Sequence, residues 1–85
     1  MIKKLFSIYD SKAQAFNDPV YVPNQALAER AFKLAANDPQ SFIGQSPTDY
    51  TLFYLGEWDD ATCQHALCDT PQAIGLASTY KDSEK

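Results

Sequence analysis

The sequence is poor in the residues that define several classes of protein. Its 85 residues include three Gly, two Cys and one His, and no apolar run reaches the roughly 18–20 residues that span a bilayer. Two cysteines are too few for a disulfide scaffold, and eight Gly and Pro residues together are too few for a low-complexity or collagen-like chain. The three glycines stand far apart and form no phosphate-binding loop. We therefore expect no membrane partner and no nucleotide cofactor.

Positive charge is also scarce. Seven Lys and Arg residues against eleven Asp and Glu residues give a formal net charge of −4. Such a balance disfavours nonspecific binding to duplex DNA, which draws on many contacts between cations and phosphates. The acidic residues concentrate in the second half of the chain, whereas most of the basic ones lie in the first half. This division predicts one basic and one acidic side.

Length and composition predict one soluble domain. An apolar fraction of 45% and a charged fraction of 21% are those of an ordinary globular protein. We place this α+β domain at residues 1–80 and expect a frayed tail at residues 81–85. Tyr9 and Asp10 interrupt the apolar start too early for a secretion signal, so a cytosolic protein is expected.

Two strands are predicted in the first quarter of the chain. Apolar side chains recur on both faces from Ile2 to Tyr9, a pattern typical of a strand that is covered on one side and partly covered on the other. The segment Val20–Val22 lies between Pro19 and Pro23. Because proline cannot donate a hydrogen bond to a neighbouring strand, this segment is expected at an edge of the sheet.

The clearest predicted element is a helix over residues 25–36. The segment is rich in strong helix formers, has an apolar stripe at helical spacing, and follows Asn24, a favourable N-cap residue. Pro39 predicts that the helix ends just before it, with Asn37 in a left-handed cap conformation. Residues 41–48 are expected to form a loop.

The second half predicts two further strands and a short helix. Aromatic and branched residues make Tyr50–Leu55 the strongest strand signal, and Gly56 suggests a bulge or a close approach of another backbone segment. Strict alternation would place Trp58 on the same face as Leu52. A final strand near residues 62–67 and a short helical or extended segment at 72–78 follow. The predicted fold is α+β: a small antiparallel sheet of about four strands, one a short edge strand, with one main helix on a face and a short C-terminal helix.

One cluster has side chains that could bind a metal or attack a substrate. Cys63, His65 and Cys68 supply three soft ligands, whereas a structural zinc site takes four. Cys63 and His65 could instead form a nucleophile–base pair, but nothing else indicates an oxyanion site or a substrate cleft. The carboxylates at 57–60 are typical of a solvated acidic turn. We therefore predict no catalytic residues and no metal ligands.

Eleven aromatic residues are many for a chain of this length. Aromatic side chains on a sheet face, with a few cations nearby, are one way in which proteins hold single-stranded nucleic acid, because rings stack on bases and cations contact phosphates. The alternative is that these rings form the core and the seam of a homodimer. The candidate nucleic-acid-binding residues are Tyr9, Phe16, Tyr21, Phe53 and Trp58 for stacking and Lys3, Lys4, Lys12, Arg30 and Lys33 for phosphates.

Three segments carry a family resemblance. They are Leu5-Phe-Ser-Ile-Tyr-Asp-Ser-Lys-Ala13, the helix Ala26-Leu-Ala-Glu-Arg-Ala-Phe32 that ends in Asn37-Asp-Pro39, and Pro47-Thr-Asp-Tyr-Thr-Leu-Phe-Tyr-Leu-Gly-Glu-Trp-Asp59. Together they resemble the small nonstructural protein of gokushoviruses, single-stranded-DNA bacteriophages of the microvirus group. The likeness runs over residues 5–60, and its last motif is the most specific. The chain departs from the family at Thr62-Cys63, where a Thr-Gly hairpin is usual.

The resemblance implies a role in viral genome replication. It suggests a non-enzymatic protein outside the capsid, in the host bacterial cytoplasm, that binds single-stranded DNA during replication or during the switch to single-strand synthesis and packaging. A homodimer or larger homo-oligomer is expected, and no catalytic residues carry over. The alternative is an adaptor whose aromatic strand and acidic turn at Asp59-Asp60 dock onto the phage replication initiator or a host replication factor.

Overall fold

The chain folds into an antiparallel sheet with one main helix against one face, as shown by a computed structural model that describes residues 1–82. The strands are β1 (Ile2–Asp10), β2 (Ala15–Phe16), β3 (Val20–Val22), β4 (Tyr50–Asp59) and β5 (Gln64–Leu76). The helices are α1 (Gln25–Ala36), α2 (Phe42–Gln45) and α3 (Ala77–Tyr80), and a 3-10 turn, Pro47–Asp49, precedes β4. The predicted α+β class and its layers are confirmed.

Strand β1 lies at the centre of the sheet. It pairs with β4 along its whole length on one side, and with β3 and then β2 along its other side. β5 pairs with the outer side of β4. β3 is thus an edge strand, as its flanking prolines predict. The two-residue β2 was not predicted; it follows a turn in which the carboxylate of Asp10 accepts from the backbone N–H groups of Lys12 and Ala13.

The core lies between α1 and one face of the sheet. Phe6 of β1 and Leu52 of β4 are buried against Ala28 and Phe32 of the helix. Small alanine side chains let the helix approach the sheet closely, so that the two large rings fill the space between the layers. Tyr54 packs against this cluster from β4 and is only partly buried.

The bounds of α1 are those predicted, but its C-terminal end differs. The side chain of Asn24 accepts from the N–H of Leu27 at 3.0 Å, which makes Asn24 the N-cap. Asn37 has φ −101° rather than a left-handed conformation, so that part of the prediction is wrong. Its side-chain amide donates to the carbonyls of Lys33 and Tyr80, and these bonds replace the glycine-like cap.

Two other expectations about local structure are wrong. Residues 41–48 contain α2 rather than a plain loop, because the Ser41 hydroxyl caps it by accepting from the N–H of Gly44 at 2.8 Å. The last strand, β5, continues past its predicted end near residue 67 to Leu76, so the segment at 72–78, predicted to be helical or extended, is extended as far as Leu76 and helical from Ala77. Residues 68–71 of β5, which include a proline, have no pairing partner on β4. An outer strand of a sheet tolerates such a gap. The predicted frayed tail, 81–85, falls largely outside the described residues.

The predicted bulge at Gly56 is confirmed, and it changes which side chains share a face. Leu5 pairs with Gly56 and Phe6 pairs with Tyr54, so Leu55 is an extra residue on β4. An extra residue reverses the alternation beyond it. Trp58 therefore lies on the face opposite Leu52 and Tyr54, and the assignment by strict alternation is wrong.

Tyr80 ties α3 to α1, and this contact predicts a loss of stability at high pH. Its hydroxyl donates to a carboxylate oxygen of Glu29 at 2.9 Å, and burial together with Glu29 raises the pKa of Tyr80 to about 12. The pKa of a tyrosine in an unfolded chain is about 10. The contribution of Tyr80 to the free energy of unfolding is therefore complete below that value and is lost as pH rises toward 12.

We expect Tyr80→Phe to unfold more easily than the parent protein near neutral pH and to lose less stability between about pH 9.5 and pH 11.5. Urea unfolding at a series of pH values measures both effects. Tyr9→Phe is the control, because its ring lies elsewhere on the sheet and its replacement leaves the Tyr80 contribution in place. An unchanged alkaline slope in Tyr80→Phe would contradict the assignment.

Candidate nucleic-acid interface

The sheet face opposite α1 carries all five of the predicted stacking rings. Residues directly paired across antiparallel strands project from the same face. Leu5, Ser7 and Tyr9 alternate with the core residue Phe6 on β1, so their pairing partners also face away from the helix. The pairs are Lys3 with Trp58, Leu5 with Tyr21, Ser7 with Phe53, and Tyr9 with Phe16. We call the surface formed by Tyr9, Phe16, Tyr21, Phe53 and Trp58 the aromatic face.

Three of these rings form one cluster near the β1–β2 turn. The ring centroids of Tyr9 and Phe16 are 4.9 Å apart, those of Phe16 and Phe53 5.2 Å, and those of Tyr9 and Phe53 6.3 Å. These separations and the tilted or edge-on arrangements are those of favourable aromatic contacts. Phe16 remains 44% exposed, so the Tyr9 cluster, as we name this group, presents ring surface to solvent.

The second cluster lies toward the other end of β4. Tyr21 and Trp58 have centroids 5.1 Å apart, and His65 of β5 lies 6.0 Å from Tyr21 and 6.3 Å from Trp58. The Tyr21 hydroxyl is hydrogen-bonded to Nε2 of His65 at 3.1 Å. β3 and β5 are on opposite margins of the sheet, so this bond requires the sheet to curl toward the aromatic face. We call Tyr21, Trp58 and His65 the Trp58 cluster.

The rings also have a structural role. Leu5 and Ser7 lie on the aromatic face and are almost fully buried, at 4% and 3% exposure. The Ser7 hydroxyl donates to the carbonyl of Asn17, which satisfies its hydrogen-bonding need. Tyr21 is nevertheless 44% exposed. The aromatic face therefore shields a small second core and still offers ring surface to a ligand.

One of the five predicted cations contacts the aromatic face, and a second lies in a turn at the edge of this face. Nζ of Lys3 is 5.8 Å from the centre of the Trp58 ring, a cation–π distance. Lys12 is in the turn that connects Tyr9 to Phe16 through β1 and β2, and its side chain is 80% exposed. Its ammonium group is 4.0 Å from a carboxylate oxygen of Asp49. Lys3 thus contacts a ring of the Trp58 cluster, whereas Lys12 lies in the turn next to the Tyr9 cluster and its recorded contact is with Asp49.

The structure does not bring the other three cations to this face. Lys4 alternates to the helix side of the sheet, where it forms a 3.1 Å ion pair with Glu57, and this hydrogen bond raises the pKa of Lys4. Arg30 and Lys33 are exposed on α1, in the other layer of the molecule. Lys33 is also 3.7 Å from Asp82. The ten residues predicted to form one site are therefore divided between two sides of the fold.

The structure separates the three residues of the Cys63, His65 and Cys68 cluster, for which the sequence predicts no role. Cys63 lies in the turn after β4 with φ 63°, whereas His65 faces Trp58 and Cys68 belongs to the unpaired part of β5. Within residues 1–82, no three His, Cys, Asp or Glu side chains are grouped as metal ligands. The paired register of Trp58 and His65 across the β4–β5 hairpin is the signal that could have identified the histidine as part of the aromatic cluster.

Comparison with known proteins identifies the family. In the part of the chain that the structure describes, no helix has the length and apolar character needed to cross a membrane. No curated protein and no solved structure matches the sequence. A family model described as Phage ORF5 protein matches residues 3–80, which include all the strands and helices described above except Ile2, the first residue of β1. The chain therefore belongs to the Phage ORF5 protein family and is a bacteriophage protein.

Proposed function

We propose that this phage protein is a non-enzymatic, nonstructural protein of the gokushovirus type that binds single-stranded DNA on its aromatic face. In this proposal it acts in the host bacterial cytoplasm, during genome replication or the switch to single-strand synthesis and packaging. The observation that carries the proposal is the placement of Tyr9, Phe16, Tyr21, Phe53 and Trp58 together on the sheet face away from α1.

The two clusters suit an extended strand of DNA. Each base of a single strand offers a flat face that can stack on an aromatic ring, whatever its sequence. Lys3 and Ser7, which pair with rings of the two clusters, are four residues apart on β1. At about 3.3 Å per residue, this separation is roughly 13 Å. A strand of DNA lying along β1 could therefore place bases on both clusters.

The lysines set the expected dependence on salt. For single strands, the slope of log affinity against log salt concentration is about −0.7 for each phosphate contact. Contacts from Lys3 and Lys12 alone give a slope of about −1.4, whereas all five predicted cations would give about −3.5. Because only those two lysines adjoin the aromatic face, we expect the shallower dependence and a larger contribution from stacking.

Fluorescence anisotropy of a labelled single-stranded oligonucleotide tests the proposal, with a duplex of equal length as the comparison. We expect preference for the single strand, a salt slope near the value for two contacts, and little binding to the duplex. The control Arg30→Gln, on α1, should leave both affinity and slope unchanged. No binding at low salt, where electrostatic attraction is strongest, would contradict the proposal.

One observation favours a second function. Because Lys4, Arg30 and Lys33 lie away from the aromatic face, that face is largely apolar with little positive charge. Exposed apolar patches of this kind often contact other proteins. An adaptor that docks onto the phage replication initiator or onto a host replication factor is the alternative. Failure to bind DNA, together with capture of the initiator, would support it.

A further inference from the structure

The Trp58 cluster contains the single histidine of the chain, and this residue has no place among the stacking rings and lysines proposed above. His65 projects from β5 beside the Trp58 ring, with its centroid 6.3 Å away. Lys3 lies over the same ring, with Nζ 5.8 Å from its centre. Two basic side chains, from opposite sides of β4, thus flank the aromatic ring that we expect to stack on DNA.

The hydrogen bond to Tyr21 determines which histidine nitrogen can meet a ligand. Nε2 is engaged with the Tyr21 hydroxyl at 3.1 Å. A neutral imidazole has one donor and one acceptor nitrogen, whereas a protonated one has two donors. In the protonated form, Nε2–H donates to Tyr21, and Nδ1–H becomes a charged donor of the kind that binds phosphate oxygens. The Tyr21 hydroxyl therefore engages Nε2 of the protonated imidazole and leaves Nδ1–H as the donor for an anion.

Within the described residues, the acidic side chains around His65 form ion pairs with other groups and not with the imidazole. Two carboxylates, Glu57 and Asp59, line a shallow pocket together with His65. Glu57 is already paired with Lys4 at 3.1 Å, and Asp59 lies 4.0 Å from the amino group of Met1. Neither carboxylate is hydrogen-bonded to the imidazole among the contacts of residues 1–82. A phosphate is therefore the anion that would complete the surroundings of a protonated His65.

We propose that protonated His65 is a phosphate-binding residue of the aromatic face and that single-stranded DNA binds more tightly when this imidazole is protonated. This inference rests on the proposed DNA-binding function and adds a residue and a regulation to the same site. His65 is exposed, and a contact between a charged donor and phosphate at an exposed position is worth a modest change in affinity, roughly three- to tenfold.

The test compares affinities for one oligonucleotide at about pH 7.5 and about pH 5.5. Ionic strength is held constant. The parent protein should bind about three- to tenfold more tightly at the lower pH, and His65→Gln should show no such change. Lys3→Gln, the matched control, should bind more weakly at both pH values and keep the pH effect. Thermal unfolding at both pH values confirms that the variants are folded.

Two further arms separate the phosphate contact from its alternatives. An oligonucleotide with methylphosphonate linkages keeps the bases but lacks the phosphate charge. The parent protein should bind this oligonucleotide with the same affinity at both pH values. In Tyr21→Phe the ring that stacks is kept, but the pH effect should become smaller, because the hydroxyl that holds Nε2 of His65 is lost. Binding that is equal at both pH values overturns the role of His65 and leaves the proposed function intact. Absence of binding at both pH values overturns the two together.

Discussion

Replacing Trp58 with alanine is expected to weaken single-stranded DNA binding by roughly five- to 150-fold, the range for loss of one stacked base. Trp58 is the largest ring of the aromatic face and contacts Tyr21, His65 and Lys3. Its removal therefore takes away a stacking surface and loosens the side chains that flank it. Trp58→Phe keeps a ring and should retain most of the affinity. Anisotropy titrations at one salt concentration measure the series.

The matched control is Phe42→Ala. Phe42 is 79% exposed, but it lies on α2 and not on the aromatic face. Loss of this ring should leave DNA affinity unchanged. Lys3→Ala should weaken binding less than Trp58→Ala, because one phosphate contact contributes less than one stacked base at moderate salt. Equal losses from Phe42→Ala and Trp58→Ala would show that the aromatic face is not the binding surface.

The second large effect is expected at Gly56. Its φ of +143° lies in a region that residues with a side chain rarely adopt, and a Cβ there would stand 2.5 Å from the carbonyl oxygen of Ala66. Neither the strain nor the clash can be relieved without moving β5. We expect Gly56→Ala to lower the free energy of unfolding by about 3 kcal/mol. Since the same bulge places Trp58 on the aromatic face, DNA binding should also fall.

Gly75→Ala provides the comparison. Its added Cβ would meet the ring of Tyr80 at 2.9 Å rather than a backbone atom, and its φ is not in the strained region. A side chain can move more readily than a paired strand, so this variant should lose less stability. Urea unfolding measures the free energy of unfolding of both variants, and near-ultraviolet circular dichroism reports the surroundings of Trp58. Equal stability of Gly56→Ala and the parent protein would contradict the role assigned to the bulge.

The elements that local sequence determines were predicted well. The helix formers of α1, the N-cap at Asn24 and the aromatic and branched residues of β4 act over a few residues, and both elements lie where they were expected. β5 was underestimated because its extended form depends on pairing with β4 and not on alternation of its own residues. α2 was missed because it is short and depends on the Ser41 cap.

The candidate site was only partly predictable for a related reason. The five rings were chosen as residues on strands or adjoining loops, and their common face follows from strand pairing that composition does not specify. The bulge at Gly56 was expected, but its effect on Trp58 requires the register to be followed through it. The cations were grouped by sequence alone, which could not show that Arg30 and Lys33 belong to the opposite layer.

The central claim is that single-stranded DNA stacks on the aromatic face, and Trp58 offers the most direct measurement of it. It is the one tryptophan in the chain, so intrinsic fluorescence excited at the tryptophan band reports this face alone. Titration with an unlabelled single-stranded oligonucleotide should quench this fluorescence with the same dissociation constant that anisotropy gives for the labelled strand. DNA binding seen by anisotropy with no change in tryptophan fluorescence would contradict the claim.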